Sequence, residues 1–305
     1  MPHLRIMIEK EFRNEDPPGK IVALVLSTVS LLGGNSLAVK ITLQGIPPLK
    51  MAFLRYILGV LAVGGAGFFQ GMSMRLRFGE LRRLILIALL HALHTVLLNI
   101  GTEFTIASRS TIFFTLHPIF TVIFGHFWLP DDRLSVRKIL GVFAAFGGVI
   151  AAIAPNLRGS GTLEYLIGDL IVTLAACFFG LRITLTKVYV QDIYPHRLLI
   201  WLLSLNMPCF LVLSYLFERG KPIDLTLASG AGMLYQGWIL TGFCFLVLTS
   251  VLRKYKASKL VVLYFFMPVS GVLFSNLFLG DELSLSILAG TALVAAGIYL
   301  VNMRR

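Results

Sequence analysis

The run IASRSTIFFTLHPIFTVIFGHFWLPDD at residues 106–132 aligns with YKASKLVVLYFFMPVSGVLFSNLFLGDE at residues 255–282 when Pro118 is placed over Pro268. Both runs are long and apolar, contain a central proline, and end in two acidic residues. The alignment extends in both directions at an offset near 150, pairing Lys40 with Lys187, Pro48 with Pro195, Gly141 with Gly290 and Gly148 with Gly297. An internal duplication is the simplest interpretation.

The rest of the chain is equally apolar. Hydrophobic residues make up 57% of it and charged residues 14%, with a mean hydropathy of +0.84, which is far from the composition of a soluble globular domain. A membrane-spanning helix needs about 20 mostly apolar residues. Nine charge-free runs meet this need, and a weaker tenth at residues 166–187 is interrupted by Arg182. The nine runs are 21–39, 56–74, 84–102, 110–130, 139–157, 198–217, 225–252, 260–280 and 283–303.

Each copy of the duplication therefore holds five predicted spans, and this odd number places the second copy in the membrane the opposite way up. The predicted fold is an all-α membrane protein with ten transmembrane helices, arranged as two inverted five-helix repeats around a central cavity. We assign residues 1–20 to an N-terminal tail, 21–157 to the first repeat and 158–305 to the second. Inverted repeats are characteristic of secondary transporters, whose substrates bind near the midplane between the halves.

The basic residues are distributed unevenly between the two sides of this topology. With the N-terminus inside the cell, 19 Lys and Arg residues lie on the cytoplasmic side and 5 on the other. This is the positive-inside pattern, so both termini are predicted to be cytoplasmic and the membrane to be the plasma (inner) membrane. The pattern also explains the net charge of +12 without a nucleic-acid partner. The expected partners are the lipid bilayer and a small-molecule metabolite.

In its motifs the chain resembles the EamA-type carriers of the drug/metabolite transporter superfamily. The similarity rests on GGNSLAVKITLQGIPPLKMAFLRY at 33–56, LSVRKILGVFAAFGGVI at 134–150 and GDLIVTLAACFFGLRITLTK at 168–187, followed by the Pro268 run and its GDELS. The resemblance implies a ten-helix carrier whose central cavity moves small metabolites, often amino acids, or drugs. It implies no single substrate. The first copy departs from the family's pattern, since PDDRLS stands in place of GDELS.

The charged residues inside the predicted spans are basic. All fifteen acidic residues fall in loops or at helix ends, which argues against a cation exchanger built on a buried acid and favours a substrate with an anionic group. Arg182 is the principal candidate to bind that group, and its repeat counterpart is Asn35. The alternative is an arginine that snorkels or bonds to a backbone carbonyl. Lys40 and Lys187 lie nearer the helix ends, where we expect them to snorkel to the interface.

Three histidines are candidates for contact with substrate or protons. His91 and His94 are one helical turn apart, and His117 lies in the fourth span. Because histidine changes charge near neutral pH, these residues are suited to a proton relay, with protons as the coupling ion. The alternative is that they are neutral and hydrogen-bonded within the protein.

Hydroxyl side chains complete the predicted substrate site. Thr111, Thr115 and Tyr264 are candidates to hydrogen-bond the substrate, or else to satisfy the helices around them. No cofactor and no metal site is expected. The three cysteines are dispersed, and the sequence specifies no third ligand beside the histidines.

Two other classes of function stay open. An intramembrane enzyme acting on a lipid or prenyl substrate is suggested by Asp131 and Asp132, which could hold a metal-bound diphosphate. Their repeat counterparts, Asp281 and Glu282, emerge on the opposite membrane face in the predicted topology, so the two pairs cannot share a metal. Acids that precede a helix also serve as caps. A channel or scaffold is the other alternative.

We expect epitope tags at both termini to be hidden from antibody in intact cells and to be detected once the cells are made permeable. The reason is the bias of 19 basic residues to 5. A tag inserted after Gly220, in a predicted outside loop, is the positive control. Detection of either terminal tag on intact cells would contradict this topology.

Overall fold

A computed structural model describes residues 13–104, 113–130, 132–153, 163–279 and 285–303. Most of these residues are helical, and within them the isolated β-bridge joins Glu15 to Tyr255. Six of the described helices are long and apolar enough to cross a membrane by length and composition. The all-helical, multi-pass fold is therefore confirmed, and the count of ten spans stays a prediction.

The α-helices are numbered along the chain. They are α1 (Gly19–Gly33), α2 (Asn35–Thr42), α3 (Pro48–Phe69), α4 (Leu81–Phe104), α5 (His117–Trp128), α6 (Val136–Ile153), α7 (Leu163–Tyr189), α8 (Pro195–Phe217), α9 (Leu227–Leu234), α10 (Phe245–Lys254), α11 (Ala257–Val261), α12 (Phe266–Leu279) and α13 (Leu285–Asn302). A π-helical segment (Tyr235–Cys244) joins α9 to α10, and a 3₁₀ turn (Val262–Phe265) joins α11 to α12.

Helix α3 begins eight residues before the charge-free run that predicted it. A charged side chain does not end a helix, whereas Pro48 at its first position is suited to start one. The free backbone N–H groups of the first turn are satisfied from the other half of the chain. The carboxylate of Glu218 accepts hydrogen bonds from Leu49 N at 2.8 Å and from Lys50 N at 2.9 Å.

Helix α8 begins in the same way, at Pro195, and its first turn is also held by a glutamate from the other half. Arg197 Nη2 lies 2.8 Å from Glu80 Oε1, and both side chains are buried. Pro48 and Pro195 are equivalent in the repeat alignment. Each predicted half thus holds the start of the other half's second span, α3 or α8, and the two contacts lie at opposite ends of the bundle.

Glycines bring α6 and α13 into backbone contact. A Cβ added at Gly148 would lie 2.6 Å from Gly290 O and 2.7 Å from Val294 N. One added at Gly297 would lie 2.5 Å from Gly141 O. Real Cβ atoms do not approach this closely, so these crossings need glycine, as small-residue interfaces between membrane helices do.

A second pair of glycines places α1 and α7 in equivalent contacts. A Cβ at Gly33 would lie 2.7 Å from Met267 O of α12, and one at Gly180 would lie 3.0 Å from His117 O of α5. The repeat alignment pairs Gly33 with Gly180 and His117 with Met267. Both halves therefore use the same residue positions to cross the proline-containing helix.

Each predicted span is made of one or more consecutive helical segments, which together we call a rod. Pro118 and Pro268, which anchor the alignment, interrupt their rods at equivalent places. Pro118 lies in the first turn of α5, directly after a turn at 115–116. Pro268 lies in the first turn of α12, directly after the 3₁₀ turn. Proline lacks an N–H and crowds the preceding turn, which breaks the regular α-helix there.

Helix α7, the predicted weak span, is 27 residues long, and Tyr165–Tyr189 passes as a membrane-crossing helix with a mean hydropathy of 2.0. The expectation of a weak span was wrong. Arg182 is a single charge in a stretch that is apolar on both sides of it, and one charge does not end such a helix. The outer surface of the bundle is correspondingly apolar: Leu61, Leu170 and Leu277 are 61%, 71% and 73% exposed, as suits contact with lipid.

Residues 13–16, which we call the strap, lie across one end of the bundle, the strap face. Glu15 N donates to Lys254 O and Lys256 N donates to Glu15 O, both at 2.9 Å. Arg13 N donates to Gln191 Oε1 at 3.1 Å, and the side-chain amide of Asn14 donates to Pro130 O. The strap thus joins the ends of α5, α7 and α10.

Asp16 adds charge to these contacts. Its carboxylate lies 2.9 Å from Lys256 Nζ and 3.0 Å from Lys259 Nζ. Partial burial acts to raise the pKa of Asp16, but hydrogen bonds and positive charge from the two lysines outweigh burial and hold that pKa below its ordinary value. Asp16 therefore stabilises the strap throughout the neutral range, and this contribution is lost only as the pH falls through the lowered pKa.

We expect Gly148→Ala to destabilise the protein and Gly147→Ala to leave its stability nearly unchanged. A Cβ at 148 meets backbone atoms that cannot rotate away, whereas one at 147 meets only the end of the Leu293 side chain at 3.8 Å. Overpacking of this kind costs about 1–3 kcal/mol. Size-exclusion chromatography of detergent-solubilised protein after heating gives the midpoints, and equal midpoints would show that α6 and α13 do not pack this closely.

Candidate functional site

A cavity of about 130 Å³ lies inside the helix bundle. That volume is well above the roughly 10–15 Å³ that a single water molecule needs, so the cavity has room for a small ligand. Its lining comes from both predicted repeats. Apolar lining residues include Leu32, Phe114, Phe179, Phe245, Leu248 and Met267, and the polar ones are His117, Arg182, Thr186, Thr249 and Tyr264.

Arg182 is the one charged side chain among these lining residues, all of which belong to the described part of the chain. Its Cζ lies 4.6 Å from the ring centroid of Phe179, one turn earlier in α7. Its Nε is buried and has no hydrogen-bond partner among the described residues. A guanidinium in an apolar helix without an acidic partner is energetically unfavourable. Such a group is well placed to bind an anion.

Phe179 is the centre of an aromatic cluster around the cavity. Its ring centroid lies 4.9 Å from that of His94, 4.8 Å from that of His117 and 5.3 Å from that of Phe114. Sequence reasoning did not single out Phe179. Its spacing of three residues from Arg182 could have found it, because residues i and i+3 share a helix face.

His117 and Tyr264, both predicted site residues, line the cavity side by side with their rings in edge-to-face contact. Their ring centroids are 5.4 Å apart and nearly perpendicular. His117 Nδ1 lies 3.0 Å from Phe114 O, and His117 Nε2 is buried without a partner among the described residues. Tyr264 is the repeat counterpart of Phe114, so equivalent positions of both halves border the cavity.

Four other predicted site residues that the structure describes, Asn35, His91, His94 and Thr115, are not among the lining residues of the cavity. His91 Nε2 is hydrogen-bonded to Tyr56 Oη at 2.9 Å, and His94 Nδ1 lies 3.1 Å from Leu90 O. Asn35 Oδ1 accepts a hydrogen bond from Arg55. Thr115 is buried, and Thr111 lies outside the described residues. The structure thus groups Arg182, His117 and Tyr264, and the roles of all eight residues stay predictions.

Lys187 lies beyond the cavity at the strap face. Its Nζ donates to Arg13 O at 2.6 Å and to Tyr255 O at 2.9 Å, and the residue is fully buried. The expectation that Lys187 snorkels to the membrane interface is therefore wrong, because the strap and the α10–α11 junction bring carbonyl oxygens to the ammonium group. For Lys40 the side chain is outside the described set.

Of the four acidic residues considered for an intramembrane enzyme, the structure describes Asp132, which makes structural contacts. Asp132 is buried, lies 2.6 Å from Lys138 Nζ and accepts a hydrogen bond from Ser258 N at 3.0 Å. Asp131, Asp281 and Glu282 lie outside the described residues. Among the residues that the structure does describe, no group of three or more His, Cys, Asp or Glu is arranged to hold a metal ion.

The chain is similar in sequence to known transporters and in fold to a solved structure. The EamA-like transporter family model matches residues 19–154 and 166–303. An uncharacterized transporter of Bacillus subtilis (strain 168), YoaV, is 26% identical over 92% of this chain and 96% of its own length. A probable amino-acid metabolite efflux pump of Salmonella typhimurium (strain LT2) is 24% identical over 91% of this chain and 93% of its own. A crystal structure superposes with a TM-score of 0.81 over 92% of this chain and 98% of that one, at 16% identity.

Proposed function

The chain belongs to the EamA-like transporter family, and we propose that it moves a small carboxylated metabolite, such as an amino acid, across the plasma (inner) membrane by alternating access. In this proposal the chain crosses the membrane ten times as two inverted halves, residues 21–157 and 158–305, with both termini cytoplasmic. The substrate binds in the cavity between the halves. The strap face is then the cytoplasmic face.

The surroundings of Arg182 are the main support for a carboxylated substrate. Its guanidinium borders the cavity, its Nε has no hydrogen-bond partner among the described residues, and the lining residues include no acid. Arginine presents a planar array of N–H donors that matches the two oxygens of a carboxylate. A bound carboxylate would satisfy those donors and neutralise the charge in apolar surroundings.

The remaining lining supports a substrate with an apolar part. Phenylalanine, leucine and methionine side chains make up most of the cavity wall, and such walls bind apolar groups while a few polar side chains fix their orientation. The Salmonella relative is named as a probable amino-acid metabolite efflux pump. That name is consistent with a carboxylate joined to an apolar side chain.

We expect Arg182→Lys to weaken binding of an amino acid far more than binding of its amide. Lysine keeps the charge but loses the paired donors, and a hydrogen bond to a charged group contributes about 1.5–3 kcal/mol, or roughly a 10- to 100-fold change in affinity. L-Leucine and L-leucinamide are compared by titration at about pH 6. Their α-amino groups are both protonated there, so the pair differs only in the carboxylate.

Arg219→Lys is the matched control for that experiment. Arg219 is exposed and also lies over an aromatic ring, 5.2 Å from the centroid of Tyr215, but it does not line the cavity. Its substitution should change neither affinity. Equal losses for acid and amide in Arg182→Lys would mean that Arg182 has only a structural role. Failure of the wild-type protein to bind L-leucine would exclude aliphatic amino acids as substrates.

We also propose that transport is coupled to protons through His117. Of the three predicted relay histidines, His117 borders the cavity and has an unpaired Nε2 in the described chain. The titratable and charged groups around it are Arg182 on α7, Tyr264 before α12 and, across Phe179, His94 on α4. Protonation of His117 would add a second positive charge beside the anionic substrate.

We expect His117→Gln to flatten the dependence of L-leucine uptake on pH, because the glutamine side chain cannot take up the proton that histidine can. His91→Gln is the comparison, because His91 is buried against Tyr56. Uptake into proteoliposomes is measured at equal protein abundance. A wild-type pH profile in His117→Gln would rule out this coupling.

A further inference from the structure

Arg55 is a second guanidinium inside the helix bundle, and the proposed function gives it no role. Its Nε donates to Thr241 Oγ1 at 2.6 Å and its Nη1 to Asn35 Oδ1 at 3.3 Å. Its Cζ lies 5.9 Å from the ring centroid of Phe245, which lines the cavity. Both hydrogen-bond partners are neutral. They satisfy donors of Arg55 without neutralising its charge.

Arg55 and Arg182 lie at equal depths from opposite ends of the bundle. Arg182 is seven residues before the end of α7, at the strap face. Arg55 is seven residues after the start of α3, at the other face, where Glu218 caps that helix. At 1.5 Å per residue, each guanidinium-bearing residue is about 10 Å from its own end of the helix.

The repeat alignment relates the positions of Arg55 and Arg182 through Asn35. Asn35 is the counterpart of Arg182, and Arg55 places its guanidinium against Asn35. Each half therefore has a guanidinium at the same position of its first helical rod. In the second half the rod supplies it directly, and in the first half the neighbouring α3 supplies it.

The surroundings of the two arginines differ in how tightly they are closed. Around Arg55, the π-helical segment packs directly on α3. A Cβ at Gly237 would lie 2.8 Å from Leu58 Cδ1, and one at Gly242 would lie 2.5 Å from Ala62 Cβ. Around Arg182 lies the cavity. A π-helical turn is rare and is frequently found at functional sites, and this segment contains Thr241, the partner of Arg55.

We propose that Arg55 is the counterpart of Arg182 in the other conformation of the transport cycle. When the two halves exchange conformations, the contact between α3 and the π-helical segment opens. Arg55 then exchanges Thr241 and Asn35 for the carboxylate of the substrate, while the space around Arg182 closes. This inference rests on the proposed function, from which it takes the anionic substrate and the alternation of the halves.

A first test needs no substrate. Thr241→Val removes the strongest acceptor of Arg55 in the closed arrangement and should favour opening. Cys244, fully buried at the end of the π-helical segment, is the reporter once Cys177 and Cys209 are replaced by serine. A membrane-impermeant maleimide added at the face opposite the strap should label Cys244 about 2- to 10-fold faster in Thr241→Val, the range for loss of one hydrogen bond.

The control is Thr173→Val on α7, which removes a hydroxyl that donates to Asp169 O and does not line the cavity. It should leave the labelling rate at that face unchanged. An unchanged rate in Thr241→Val, or the same increase in both variants, would overturn the inference.

A second test compares the two faces in proteoliposomes of known orientation, with ¹⁴C-labelled L-leucine as the probe. Arg55→Lys should raise the half-saturating concentration about tenfold at the face opposite the strap and leave the strap face within about twofold, and Arg182→Lys should do the reverse. Equal effects of Arg55→Lys at both faces, or none at either, would overturn the inference.

If Arg182→Lys weakens acid and amide equally while Arg55→Lys remains one-sided, the proposed role of Arg182 fails and that of Arg55 stands. If the wild type does not carry L-leucine, the labelling of Cys244 decides alone.

Discussion

In lipid, the hydrophobic effect does not press one apolar helix against another, so membrane helices are held by close packing and hydrogen bonds. The fold depends on glycines that let backbones touch: Gly33 and Gly180 against the proline-containing rods, and Gly148 and Gly297 between α6 and α13. Leu32 and Phe179, which line the cavity, directly precede Gly33 and Gly180. The crossings that hold the bundle together therefore also determine where its cavity lies.

Polar contacts connect the two halves at the ends of the bundle and near its middle. At its two ends, Glu218 accepts hydrogen bonds from the backbone of the first turn of α3, and Glu80 forms an ion pair with Arg197 in the first turn of α8. Near the middle, Arg182 has an aromatic ring but no hydrogen bond to Nε in the described chain, while Arg55 has two neutral partners. A buried guanidinium without an anion is unfavourable, and a carboxylated substrate would relieve that instability. In the proposed function, substrate binding and helix packing are thus linked through the same few side chains.

Much of the fold could be predicted from the sequence, because span length, hydropathy and the proline alignment depend on the order of residues along the chain. The sequence also singled out three residues that line the cavity, Arg182, His117 and Tyr264, since a charge, a ring nitrogen or a phenol hydroxyl in an apolar run stands out, and their roles stay predictions. It could not show that His91 is bonded to Tyr56, or that Arg55 reaches Asn35 and Thr241. These contacts join residues far apart in sequence. Phe179 was missed because an aromatic residue in a membrane helix is not distinctive until the cavity is located.

The strap has a consequence for how the protein is made. Residues 13–16 are synthesised before all of their partners, which are Pro130, Lys187, Gln191 and the stretch from Lys254 to Lys259. The contacts at α10 and α11 are not complete until translation has passed residue 259 and those helices have been inserted. The strap must therefore wait beside the membrane through most of biogenesis, and a chain that stalls or inserts one helix the wrong way cannot dock it. Docking of the strap thus reports that the later helices have reached their places.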